Sequence, residues 1–387
     1  MNMRVVGTVS RSRFARWSAA AAVICAVASA MAAPNPVSGP KSSEGYQTAA
    51  AHAMLIEAES GSVLFEKAAD DLIPPASLSK LMTQEVVFNE IKQGRLNPTT
   101  EFIVSTNAWR RGGAPSHTSS MFIPIHSKVS VDDLLHGAII QSANDACITL
   151  AEGISGNEST FAELMTKRAR ELGLTKLARH LIETYPDYYK YYSEREFTWN
   201  KIRQFNRNPL LNLNIGADGL KTGFTKEAGY GLVGSAVQNG LRLIVVVNGL
   251  RSEKERADEA KKLLDWGFHS FQSGLLFAAG QEIAQAKLYG GVRGHVPLMA
   301  GKEVRLMVPR GSRDKIIARV VYSGPVRAPV EQGQKIGLLK VWRGESVVLE
   351  VPLQAAESVG AGSMPQRALD AASELVLGLF RAGFQRL

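Results

Sequence analysis

Pro75-Ala76-Ser77-Leu78-Ser79-Lys80-Leu81-Met82-Thr83 sets a serine and a lysine three positions apart at the head of an apolar run. Residues three apart share one face of a helix, so a single turn brings a hydroxyl and an amine side by side. A serine hydroxyl is a poor nucleophile at neutral pH, and a lysine amine takes up its proton only where burial keeps the amine neutral. Pro74 and Pro75 bar an earlier helix start and put Ser77 at the N-terminal end, where the partial positive charge of the helix favours an oxyanion. Taken alone, the pair is weak evidence, since such a spacing usually means a serine cap beside a solvated lysine.

Two later stretches add weight to the chemical reading. Ser142-Ala143-Asn144 follows the apolar run from Leu134 to Ile140, and Lys221-Thr222-Gly223 follows Asp218-Gly219-Leu220 as a strand entered from a turn. Ser-x-x-Lys, Ser-x-Asn and Lys-Thr-Gly, in that order, form the motif trio of β-lactamases and penicillin-binding proteins. The flanking residues narrow the match: Ile140-Gln141-Ser142-Ala143-Asn144-Asp145-Ala146-Cys147, Glu196-Phe197-Thr198-Trp199-Asn200 and Gly219-Leu220-Lys221-Thr222-Gly223-Phe224. From about residue 45 onward the chain resembles the D-alanyl-D-alanine carboxypeptidases, the low-molecular-mass penicillin-binding proteins. The Trp266-Gly267-Phe268 turn resembles that family's end of the catalytic domain.

The resemblance implies an α/β (α+β) catalytic domain with an antiparallel sheet sandwiched by helices, a small all-β domain, and a terminal amphipathic helix. It implies removal of the terminal D-alanine from peptidoglycan pentapeptide stems through an acyl-enzyme, with β-lactams as covalent inhibitors. Ser77 would attack the carbonyl and a neutral Lys80 would take the proton. Ser142 would pass the proton to the leaving amine, while Asn144 would hold Lys80 and the substrate amide. Lys221 would attract the terminal carboxylate, and Thr222 and Gly223 would offer a hydroxyl and an open backbone edge. The family's pattern puts the oxyanion hole at the backbone N–H groups of Ser77 and Phe224 and adds Arg256 as a second carboxylate contact.

Three departures stand out. Ala143 occupies a position where many members have glycine, and Phe224 one where many have histidine. After Leu172-Gly173-Leu174 the family carries a longer loop beside the active site, whereas here Thr175-Lys176 runs straight into residues 177–182, which resemble the end of the next helix. Two alternatives follow: a catalytically impaired, membrane-associated wall-binding scaffold, or a β-lactamase-like hydrolase. No glutamate in a recognisable deacylating motif lies between Asn144 and Lys221, which disfavours the second.

The 387 residues allow two domains, with 45% apolar and 21% charged residues. Arg4, Arg11, Arg13 and Arg16 precede an apolar run from Ala19 to Val27 and the small residues Ala30-Met31-Ala32, the three parts of an export signal. Its loss takes the formal charge from +9 to +5, since no acid accompanies those four arginines. No dense basic stripe with interleaved aromatics calls for a nucleic acid. Of the two cysteines Cys25 falls in the signal, so the mature chain forms no internal disulfide, and no spacing calls for a metal or cofactor.

The expected organisation is a signal over residues 1–32, a flexible leader over 33–45, a catalytic domain over 46–276, a β-sandwich over 277–362, and an amphipathic helix over 363–387. On that last helix Leu369, Ala372, Val376, Leu379, Phe380 and Phe384 share one face, opposite Asp370, Glu374, Arg381 and Gln385. It is too interrupted to span a bilayer and suits a membrane surface, giving an exported periplasmic protein attached peripherally to the inner membrane. Within the catalytic domain, residues 95–126 read as irregular, Val131 to Ile140 as one helix capped by Ser130, and Asn239-Gly240 as a hairpin turn.

Overall fold

The hairpin at Asn239-Gly240 forms as expected. Both residues have positive φ, 50° and 79°, the requirement of a tight turn matched to the twist of its strands. It joins Gly229–Gln238 to Leu241–Leu250 at the centre of a five-stranded antiparallel sheet in the order Val63–Lys67, His52–Glu57, Leu241–Leu250, Gly229–Gln238, Ala217–Thr225. Each central strand has six consecutive buried residues, so both of its faces are covered. The helix Glu253–Ser270, capped by the Ser252 side chain, packs on these strands. Gly267 permits the close approach, because a Cβ there would lie 2.6 Å from Leu55 Cδ2.

This computed structural model describes residues 5–9, 46–169, 173–312, 314–368 and 370. The chain divides into two units, one formed by residues 42–59 and 63–271 and the other by residues 1–41, 60–62 and 272–387. In the first unit, the helix Lys80–Lys92 is buried continuously from Lys80 to Phe88, its polar residues Lys80, Thr83, Gln84 and Glu85 included. Residues 95–126 are more ordered than the sequence suggested. Glu101–Ile103 pairs with Lys128–Ser130, and Ser105 caps a helix Thr106–Gly112 through the Ala108 N–H. The single helix expected from Val131 to Ile140 is α-helical over Val131–His136 and then widens into a π-turn, Gly137–Gln141.

The shortened connection has its own structural solution. Glu158–Ala169 and Leu174–Thr184 are helices on either side of it. The Glu85 carboxylate, buried on the central helix, accepts from Arg168 Nε at 2.6 Å, Tyr185 Oη at 3.1 Å and His180 Nε2 at 3.3 Å. Three segments thereby converge on one acid. The tyrosine-rich stretch supplies core, with Tyr185, Tyr189 and Tyr192 all buried.

The second unit is all β. Its seven-stranded sheet runs Val5–Val9, Ile316–Tyr322, Lys335–Arg343, Ser346–Ala355, His295–Ala300, Ala284–Tyr289, Val326–Arg327. Phe271–Phe277 and Val304–Pro309 pair separately. Inward residues such as Leu298, Leu306, Val320, Leu339 and Leu353 make a second core. Apart from Val5–Val9, the expected signal and leader lie outside the described residues. So does the expected terminal helix, apart from a helical start at residues 364–368 and residue 370. Among the described residues no helix is long and apolar enough to cross a membrane.

Candidate active site

Ser77 sits in a 3₁₀ turn, Ala76–Ser79, just ahead of the α-helix that begins at Lys80. The turn is entered at positive φ by Ala76 (49°), a conformation costly for a residue with a Cβ. The Leu78 N–H bonding back to Pro75 O at 2.9 Å closes it. Lys80 Nζ lies 3.0 Å from Ser77 Oγ, within reach of its proton. Lys80 is almost fully enclosed, and burial pushes its amine below the ordinary lysine value; Cys147 opposes this and the Arg207 charge adds to it. The hydroxyl and the amine are thus brought side by side, as the spacing predicted.

The π-turn delivers Ser142 at φ 61°, with its hydroxyl buried and unpartnered. Ala143 follows at φ −62°, ψ 122°, ordinary extended backbone, so a side chain is tolerated there without strain. Asn144 opens the helix Asn144–Ser155, and here expectation and structure part. Its amide donates to Thr118 Oγ1 at 2.9 Å and its backbone N–H to Ser119 O at 2.7 Å, so the side chain secures the neighbouring loop where it was expected to hold Lys80. Asp145, fully buried, tightens the same loop by accepting from Ser120 Oγ (2.6 Å) and the N–H groups of Met121 (3.1 Å) and Ile123 (3.2 Å).

Lys221, Thr222 and Gly223 lie on the edge strand of the sheet. Gly223 has a steric reason to be glycine: a Cβ would stand 3.0 Å from Leu78 Cγ and 3.3 Å from Leu78 N, so the strand passes directly against the turn bearing Ser77. Lys221 is buried, with Nζ 3.3 Å from Thr222 O. Burial pushes its amine far below the usual value, and the charges of Lys80, Arg207 and Arg256 push the same way against Cys147. Phe224 is half exposed and packs on Tyr230 with ring centroids 4.2 Å apart. Arg256 covers the same Tyr230 ring at 5.6 Å, and its buried Nε has no partner.

Sequence reasoning missed Arg207. Its N–H donates to Ile140 O in the π-turn and its Nη1 to Ser119 Oγ at 2.7 Å, while its charge acts on both lysine amines. No motif spacing marks it, because it reaches the site by tertiary folding. Burial pushes the Cys147 thiol up, while the charges of Lys80 and Lys221 pull the other way. Among the described residues no cluster of three His, Cys, Asp or Glu could hold a metal.

The profile of the peptidase family described as D-alanyl-D-alanine carboxypeptidase matches residues 38–177 and 174–252. The chain belongs to this family. The two matched pieces meet at residues 174–177, where the connection is short. A second profile, the C-terminal domain of penicillin-binding protein 5, matches residues 271–361. The chain is 36% identical to D-alanyl-D-alanine carboxypeptidase DacA of Haemophilus influenzae over 84% of its own length and 89% of that protein's. It is 36% identical to DacC of Escherichia coli K12 over 82% and 86%. The crystal structure of penicillin-binding protein 5 from Haemophilus influenzae superposes with TM-score 0.69 over 82% of this chain and 99% of that one. This member of the serine-peptidase family therefore has its Lys221-Thr222-Gly223 strand packed directly against the turn that bears Ser77.

Proposed function

We propose that the chain performs its family's carboxypeptidase reaction with Ser77 as nucleophile and Lys80 as base. The observation that carries this is the 3.0 Å approach of Ser77 Oγ to an amine held below its ordinary value by burial. The substrate's terminal carboxylate enters toward Lys221 and Arg256, whose unpartnered Nε faces no acceptor of its own. Backbone N–H groups of Ser77 and Phe224 receive the developing oxyanion. Lys80 takes the Ser77 proton as the new C–O bond forms. The Ser142 hydroxyl, buried without a partner, relays a proton to the departing D-alanine amine as the C–N bond breaks. Water then frees Ser77 and releases the shortened peptide. β-Lactams enter the same sequence and stay on Ser77.

We place the protein in the periplasm: residues 1–32 direct export, residues 46–276 carry the chemistry, residues 277–362 form the β domain, and residues 363–387 rest on the inner membrane surface. The test is release of D-alanine from a pentapeptide ending in D-Ala-D-Ala, beside labelled-penicillin uptake and a Ser77→Ala control. Release and label that both vanish in the control support the assignment. A folded wild-type protein showing neither release nor label refutes it in favour of the scaffold.

A further inference from the structure

Tyr230 joins the strand that bears Lys221 to the helix that bears Arg256. On the strand Gly229–Gln238 it is in register with Phe224 of Ala217–Thr225 on one side and with Leu250 of Leu241–Leu250 on the other. Gly231 lets the strands close there, because a Cβ would lie 2.2 Å from Asn248 Oδ1. Two residues past Leu250, Ser252 caps the helix Glu253–Ser270 through the Glu255 N–H at 3.0 Å, and its carbonyl accepts from the Arg256 N–H at 3.0 Å. These contacts set the Arg256 guanidinium over the Tyr230 ring, 5.6 Å from its centroid, while the Phe224 ring packs on Tyr230 at 4.2 Å with the planes 31° apart.

Arg256 is buried, and its Nε has no hydrogen-bond partner. A buried guanidinium is ordinarily held by a carboxylate, which occupies its N–H donors. The face of an aromatic ring attracts the same charge and takes none of them. Held in this way, the arginine has a place fixed by packing and an Nε open to a carboxylate from outside the protein. Phe224 braces the ring in turn from the strand on which Lys221 lies, so Lys221 and Arg256 are tied to one pair of strands.

We infer that Tyr230 is a positioning residue for substrate specificity: its ring, packed on Phe224, holds the Arg256 guanidinium by cation–π attraction where the substrate's terminal carboxylate arrives. This rests on the carboxylate role proposed for Arg256. The test uses the full chain, with kcat and KM for D-alanine release from a pentapeptide ending in D-Ala-D-Ala. It is run on wild type, Tyr230→Leu, Tyr230→Phe, Arg256→Leu and the variant combining Tyr230→Leu with Arg256→Leu.

Tyr230→Leu is expected to raise KM about fivefold with kcat little changed, the size of one partly buried cation–π contact acting on a binding step. Tyr230→Phe keeps the ring and is expected to stay within about twofold of wild type. In the Arg256→Leu background Tyr230→Leu should add nothing, since the ring acts through the guanidinium. A KM raised by Arg256→Leu and unmoved by Tyr230→Leu overturns the inference alone, as does an effect of Tyr230→Leu that persists in full without Arg256. Should Tyr230→Leu not fold, phenylalanine and its ring-fluorinated analogue at position 230 have nearly one shape and differ in the charge of the ring face. A higher KM for the fluorinated ring supports the inference, and equal values overturn it. An Arg256→Leu protein with wild-type KM removes the carboxylate role of Arg256 and the inference with it.

Discussion

Gly223→Ala tests whether the edge strand and the nucleophile turn are held in contact by the absence of a side chain. The added Cβ would lie 3.0 Å from Leu78 Cγ, 3.3 Å from Leu78 N and 3.4 Å from Pro75 O. Carbon pairs are comfortable at about 3.5–4.0 Å, so the strand and turn must part by roughly half an ångström. Two of the three contacts are backbone atoms, which no rotamer change relieves. Overpacking of this kind costs about 1–3 kcal/mol of stability. A misplacement of about 1 Å costs a reacting site about a hundredfold, so half of it predicts about a tenfold fall in acylation of Ser77. The assay is stopped-flow acylation by a fluorescent penicillin, with urea unfolding alongside. Gly294→Ala is the control, since nothing stands within 4 Å of its new Cβ. A Gly223→Ala protein that acylates at the wild-type rate would mean that this contact does not set the geometry of Ser77.

With Lys80 as the proposed base, acylation needs its amine neutral, so its rate should rise with pH through a value below 10.5, and Arg207→Gln should move that rise to higher pH by removing a repelling charge. A penicillin acylation profile for the two proteins measures it; an unmoved limb excludes the electrostatic role. Glu85→Leu strands Arg168 and is expected to cost about 3–5 kcal/mol in urea unfolding, while Glu85→Leu with Arg168→Leu restores much of it. A loss below about 1 kcal/mol in the single variant would show that the cluster does not secure the shortened connection.

What could be read from the sequence was local. The Ser77–Lys80 spacing, the Asn239-Gly240 turn and the Ser130 cap depend on residues a few positions apart, and all three stand in the structure. The helix Thr106–Gly112 escaped because Arg110-Arg111-Gly112-Gly113 reads as loop chemistry, whereas Gly112 is packed so tightly that its Cβ would lie 2.4 Å from Asp145 N. Tertiary packing there overrides a weak propensity. Asn144 was assigned to Lys80 because motif order says nothing of side-chain direction, and Thr118 lies in a loop with no marking of its own. Arg207 and Glu85 illustrate the same limit, each acting on groups far from it in the chain.

The chemistry of the site conflicts with its stability, and the conflict explains its selectivity. Lys80, Lys221, Arg207 and Arg256 are all pushed down by burial, so each disfavours the charged form that water would stabilise. Glu253 is the acid whose charge both arginines feel, and Asp145 is taken up by the loop it organises. The site therefore holds basic groups whose charge burial disfavours, and two buried polar atoms, Arg256 Nε and Ser142 Oγ, that its own side chains do not satisfy. Leaving such atoms unpaired costs about 1–3 kcal/mol each. On the roles proposed for Lys221, Arg256 and Ser142, a peptide ending in a free carboxylate would supply the missing charge, and its scissile amide would supply the missing partner for Ser142. An internal peptide bond lacking a nearby carboxylate would leave the cations uncompensated. On those proposed roles, a preference for a terminal residue follows from the buried basic groups and the unpaired hydroxyl of the site.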